Sequence, residues 1–193
     1  MVEHVTLHFF GAYSFLNGEK SLFHSPYAND AGIYLWVIKN RQDNLNYIHY
    51  IGETSHFAKR QREHSIQILG LNYRILDSQQ AINGIEKIVW NGLWRDKTRE
   101  AVGKTIEQYH TIGQYVTDYI SIIDIYFAPT QCSKDLRKHI EGCIGKNLRM
   151  KYSEWTRFYP DDNQVGTKSK GFGDTIRITT DEDIIGFDPE MMI

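Results

Sequence analysis

The sequence predicts an α+β fold, a small three-stranded antiparallel sheet flanked by helices. Three runs are rich in β-branched and aromatic residues and end on turn residues. The segments around them carry apolar residues at helical spacing. The chain has 193 residues, of which 41% are hydrophobic and 24% charged. A chain of that size buries about 70% of its open-chain surface, which supports one core and a single domain over the whole length.

Residues 1–31 begin with an apolar stretch from Val5 to Phe15. A loop follows, marked by Asn17-Gly18, Ser25-Pro26 and Asn29-Asp30. GIYLWVIKN at 32–40 reads as a strand, 41–45 as a polar turn, and NYIHYIGET at 46–54 as a second strand. The short connection makes the pair an antiparallel hairpin. Residues 55–69 read as a surface helix capped by Ser55, with thin apolar support from Phe57, Ile66 and Leu69. The stretch 70–117 is expected to be a mainly helical insertion. Ile82, Ile85, Ile88, Val89, Leu93 and Trp94 lie near the helical period there, and a further helix covers 98–117.

YISIIDIYFAP at 119–129 is the third strand, stopped by Pro129. Ser133 then caps a helix whose apolar stripe is Leu136, Ile140, Cys143 and Ile144. The tail 154–193 adds a strand candidate at Thr175–Thr180 and an acidic end.

Composition excludes several classes. No apolar run approaches the roughly 20 residues of a membrane span. The N-terminus lacks a basic region and a small-residue cleavage site, so no secretory signal and no membrane partner are expected. Two cysteines, Cys132 and Cys143, argue against a disulfide scaffold and for a reducing, cytoplasmic setting. Net charge is −2, so any nucleic-acid site must come from a local cluster. There is no P-loop and no GxGxxG, and His49, His56 and His64 span a strand, a turn and a helix without forming a zinc set.

The hairpin carries Gly32-Ile33-Tyr34 and, after fifteen intervening residues, Tyr50-Ile51-Gly52. Arg60 stands eight residues beyond Gly52, His64 four beyond that, and Glu141 in a helix after the third strand. The pattern resembles the GIY-YIG nuclease superfamily over about 32–69 and 118–153. The resemblance implies a divalent-metal-dependent DNA endonuclease acting on double-stranded DNA. Its expected site residues are Tyr34, Tyr50, Arg60, His64 and Glu141, with Glu141 holding Mg²⁺ or Mn²⁺. Many members carry an asparagine twelve residues after the glutamate, where this chain has Ser153 after Tyr152; Asn147 is the nearest substitute.

The residue types suit the chemistry. Phosphodiester hydrolysis needs an oriented water, a proton acceptor, and positive charge at the phosphate oxygens. Arg60 is a permanently charged phosphate clamp. A phenol with a pKa near 10 is a poor base unless nearby cations lower it, a field expected from Arg60 and the metal. His64, one helical turn beyond Arg60, is placed to relay a proton. Glu141 falls at about 140° on the helical wheel from Leu136, beside the buried stripe. A single carboxylate of that kind suits one hard cation completed by water and phosphate.

No separate DNA-binding module is attached, so recognition is expected in the insertion and extensions. Compact type II restriction enzymes have this form and pair subunits, so a homodimer is expected, with Val89, Trp90, Leu93 and Trp94 as interface candidates. A structure-specific repair or recombination nuclease and an inactive DNA-binding protein of the same fold are the alternatives. Gly171-Phe-Gly173 after Lys168 and Lys170 reads as a basic surface loop.

Overall fold

A computed structural model describes residues 4–95, 97–151, 175–186 and 188–192. In chain order the strands and helices are β1 (His4–Tyr13), β2 (Gly32–Lys39), β3 (Asn46–Thr54), α1 (Phe57–Leu69), β4 (Ile75–Leu76), α2 (Ser78–Ala81), β5 (Ile88–Trp90), α3 (Arg99–Ser121), β6 (Ile123–Pro129), α4 (Lys134–Lys151), β7 (Thr175–Thr180), β8 (Ile184–Ile185) and β9 (Glu190–Met192).

The fold is α+β, but the expected three-stranded antiparallel sheet is wrong. The main sheet has seven strands in the order β8-β3-β2-β6-β1-β7-β9. It is mixed, because β1 with β7 and β3 with β8 run parallel. The expected β2–β3–β6 unit is present as antiparallel pairs. Four further strands come from both ends of the chain. Leu7 and Phe9 on β1, and Ile176 on β7, are fully buried, which makes these segments core and not extensions.

The two sheet faces bury different residues, as the two-residue period of a strand requires. Ile33, Leu35 and Val37 of β2 pack with Ile140, Ile144 and Leu148 of α4. Tyr34, Trp36 and Ile38 pack on the other face with Phe57 and Ile68 of α1 and with Ile112, Val116 and Tyr119 of α3. The site therefore forms between α1 on one face and α4 on the other.

The insertion is less helical than expected. Ile75–Leu76 and Ile88–Trp90 pair as a small antiparallel ribbon, and α2 is a single turn. Helical periodicity misleads here because Ile88 and Val89 are β-branched residues in a three-residue strand. The helix expected at 98–117 runs on to Ser121, so the third strand starts at Ile123. Thr98 caps it, accepting from the Ala101 amide. Ser133 accepts from the Leu136 amide at 3.3 Å, as expected of a cap. The α1 cap is His56, whose ring accepts from the Lys59 amide, and not Ser55. The Thr54 hydroxyl donates to the His56 carbonyl and accepts from the His56 amide, which shifts the start by one residue. Residues 152 and 153 and the glycine-containing loop after Lys168 lie outside the described residues.

Candidate active site

Both glycines of the paired tripeptides are required by close packing. Tyr34 stands opposite Gly52 across the hairpin. A Cβ on Gly52 would overlap the Tyr34 ring and hydroxyl, and one on Gly32 would overlap the Ala128 carbonyl and the Phe127 ring. The Tyr34 ring thus crosses the β3 backbone only because residue 52 has no side chain.

A β-bulge sets the second tyrosine. The β2–β3 register is Trp36 with Tyr50 and then Val37 with Ile48, so His49 is the extra residue. Strict alternation would put Tyr50 on the face of Ile48. With the bulge, Tyr47 and Tyr50 share the face of Tyr34, while Ile48 packs on the α4 side. The Tyr34 and Tyr50 rings stack with centroids 6.0 Å apart. His49 is turned to the Tyr119 hydroxyl of α3, 2.5 Å away.

The buried face of α1 is Phe57, Gln61, His64 and Ile68, whereas Ile66 and Leu69 are exposed. Two polar residues can occupy that face because each is partnered. Trp36 Nε1 donates to Gln61 Oε1 at 3.0 Å. His64 Nε2 shares a 2.6 Å hydrogen bond with the Tyr34 hydroxyl, and its Nδ1 a 2.8 Å bond with the Tyr73 hydroxyl. Burial, with the Arg60 charge, lowers the His64 pKa to about 3. A neutral imidazole has one N–H, so it donates to one tyrosine and accepts from the other.

Arg60 flanks this face. Its Nε donates to the Tyr34 hydroxyl at 3.4 Å and its Nη1 to Glu63 at 3.2 Å. Burial works against its charge, but the two tyrosines and Glu63 hold its pKa above the ordinary value. The Arg60 charge alone does not lower the phenol pKa. Burial raises Tyr34 well above its ordinary value and raises Tyr50 as well, and in both it outweighs Arg60. Tyr34 is 0% exposed, so it acts on its neighbours. Tyr50 is only half-buried, and the Arg60 charge works against the rise in its pKa.

Glu141 reaches the cluster from the opposite face, around an open edge. β8 covers β3 only at Asn46 and Tyr47. Among the described residues, 48–54 have no strand neighbour on that side. The Glu141 charge acts on both tyrosines, and the Glu53 backbone favours the ionised form of Glu141. Burial and then the Glu53 carboxylate raise the Glu141 pKa to about 7, against Arg60 and Lys138. Glu53 is itself bridged by Arg137 at 3.3 Å, both side chains being largely buried. Arg137 also donates to the Cys132 carbonyl at 2.6 Å, which ties the start of α4 to the β3 edge.

Two cavities meet at Arg60. A polar cleft of about 230 Å³ is lined by Glu53, Lys59, Arg60 and their neighbours. A larger, aromatic cavity of about 440 Å³ lies on the Tyr50 side. Among the described residues no group of three or more His, Cys, Asp or Glu side chains is placed to hold a metal ion. Glu141 nonetheless fits a single hard cation. It is a desolvated carboxylate repelled by a second carboxylate, and Mg²⁺ binds through one or two carboxylates with water and phosphate completing its shell.

Of the six expected site residues, hydrogen bonds and ring contacts join Tyr34, Tyr50, Arg60 and His64, and Glu141 lies within electrostatic reach of the two tyrosines and Arg60. Asn147 Nδ2 is buried without a hydrogen-bond partner. Tyr73, Glu53 and Arg137 were not expected. Tyr73 lies in the insertion with no motif around it, and only Arg137's position near the start of a helix after the third strand could have drawn notice. Comparison with family models, curated proteins and solved structures finds no match to the chain.

Proposed function

We propose that this chain is a GIY-YIG-type DNA endonuclease that depends on a divalent metal and cuts double-stranded DNA as a type II restriction-like enzyme. The observation that carries the reading is the convergence at the β3 edge. Arg60, braced by Tyr34 and Glu63, stands on the wall of a polar cleft beside the half-buried Tyr50, within the field of Glu141.

In this reading the scissile phosphate lies in the cleft with Arg60 on its non-bridging oxygens. That charge offsets the charge developing in the transition state. The Tyr50 hydroxyl orients the attacking water. Mg²⁺ held by Glu141 would supply charge stabilisation at the phosphate and the leaving 3′-oxygen. The phenols are not free bases, because burial keeps them protonated. Tyr34, His64 and Tyr73 instead form a continuous hydrogen-bonded chain beside the Tyr50 ring. A proton that reaches Tyr34 can leave along it, since each member both accepts and donates.

Insertion residues wall the cavity beside the site, which favours the compact restriction-like form. The test is cleavage by the purified protein with Mg²⁺ or Mn²⁺ on plasmid and on branched DNA. Linear product from plasmid supports the restriction reading. Cutting confined to branched DNA moves the structure-specific nuclease ahead. DNA binding with no cutting of either leaves the inactive binding protein.

A further inference from the structure

We infer that the aromatic cavity beside Arg60 receives one nucleobase turned out of the double helix. The inference rests on the nuclease reading of the adjoining cleft and names the part of the DNA that this second cavity takes.

The cavity holds about 440 Å³, within the range of roughly 300–1,000 Å³ typical of small-molecule sites. Trp36, Tyr50, Tyr73 and Trp94 supply aromatic wall, with Arg60 and Arg74 beside them. Trp94 is 53% exposed and meets Tyr73 edge-on, with centroids 4.9 Å apart and planes at 76°. The two rings make a corner with an open indole face. The corner is built in: the Leu93 and Trp94 amides donate to the Leu71 and Asn72 carbonyls at 2.9 and 3.3 Å. Gly92, at φ 88°, lets the loops meet, because a Cβ there would lie 2.6 Å from the Asn72 carbonyl oxygen.

An intact duplex offers a protein its phosphates and base edges, while its base faces are covered by stacking. Phosphates and edges call for cations and amides, and aromatic faces call for an unstacked base. Arg74 also lines the cavity and is held there by its Nη1, which pairs with Glu86 at 2.8 Å. A guanidinium suits a base carbonyl or ring nitrogen. Arg60 borders both cavities, so a base seated here belongs to a nucleotide close to the phosphate in the cleft.

The test compares two fluorescein-labelled duplexes without divalent metal, one fully paired and one with a single extra thymidine that is already out of the stack. The wild type should bind the bulged duplex about tenfold more tightly. Trp94→Ala should lose that preference while binding the paired duplex as before, and Trp94→Phe should restore it, because base–aromatic stacking needs only a ring face. Plasmid cleavage with Mg²⁺ is measured alongside. Equal binding of both duplexes by a protein that still cuts plasmid overturns this inference and leaves the nuclease reading standing. A bulge preference that survives Trp94→Ala overturns it too. Failure to bind or cut any DNA removes both.

Discussion

At the scale of single residues, the site depends on which groups stay neutral. Tyr34 is sealed between His64 and Arg60, whereas Tyr50 faces the cavity. Tyr34→Phe leaves the buried His64 Nε2 unpaired and should lower stability by about 1–2 kcal/mol as well as slowing cleavage. Tyr50→Phe should keep the melting temperature and slow cleavage by on the order of 10²-fold. Melting curves and single-turnover rates on the two variants separate these roles. Tyr73→Phe breaks the far end of the proton chain, and should slow cleavage with unchanged DNA affinity. Glu141 gives a pH signature. Its folded pKa, about 7, lies above the ordinary value of 4.5, so the native state holds the proton more tightly than the unfolded chain. Stability from this group is therefore complete below about pH 4.5 and falls as pH rises towards 7. Glu141→Gln should gain about 3 kcal/mol relative to wild type between pH 4 and pH 8, read by denaturant unfolding at both pH values.

At the scale of elements, the β2–β3 hairpin, α1 and α4 were legible because turn residues, strand composition and an apolar stripe agree there. The paired tripeptides, Arg60, His64 and Glu141 were legible by their spacing. The His49 bulge was not, since a one-residue insertion in a strand leaves no sequence mark, yet it decides that Tyr50 faces Tyr34. The buried face of α1 was misread because Gln61 and His64 are polar and count as interior only once Trp36, Tyr34 and Tyr73 are seen to partner them. β1 was passed over because its partners, β6 and β7, lie more than a hundred residues away. Gly52→Ala tests the element directly. The added methyl displaces the Tyr34 ring and should cost about 1–3 kcal/mol of stability together with cleavage. Retention of wild-type melting and activity would mean that Tyr34 is not fixed by the hairpin.

At the scale of the whole molecule, no helix among the described residues is long and apolar enough to cross a membrane. Of the interface candidates Val89, Trp90, Leu93 and Trp94, Trp90 donates its Nε1 to the Leu71 carbonyl and Trp94 walls the aromatic cavity, 53% exposed. Val102, Ile106 and Tyr109 form an apolar stripe on α3, 47%, 73% and 54% exposed, where a second copy would be expected to pack. One cluster cuts one strand, so a restriction-like enzyme needs a two-fold pair to reach both. Sedimentation should show a dimer on DNA, and Ile106→Glu should convert linear plasmid product to nicked product. A monomer that linearises plasmid would remove the dimer from the account.

The central claim is that the cluster at the β3 edge hydrolyses DNA with one cation held by Glu141. Single-turnover cleavage of plasmid with Mg²⁺ by wild type and Glu141→Gln, with DNA affinity measured in parallel in the absence of metal, tests it most directly. The account predicts cutting by wild type, a loss of on the order of 10²-fold or more in Glu141→Gln, and equal DNA affinity in the two. Cleavage by Glu141→Gln at the wild-type rate, or no cleavage by wild type with either Mg²⁺ or Mn²⁺, would contradict it.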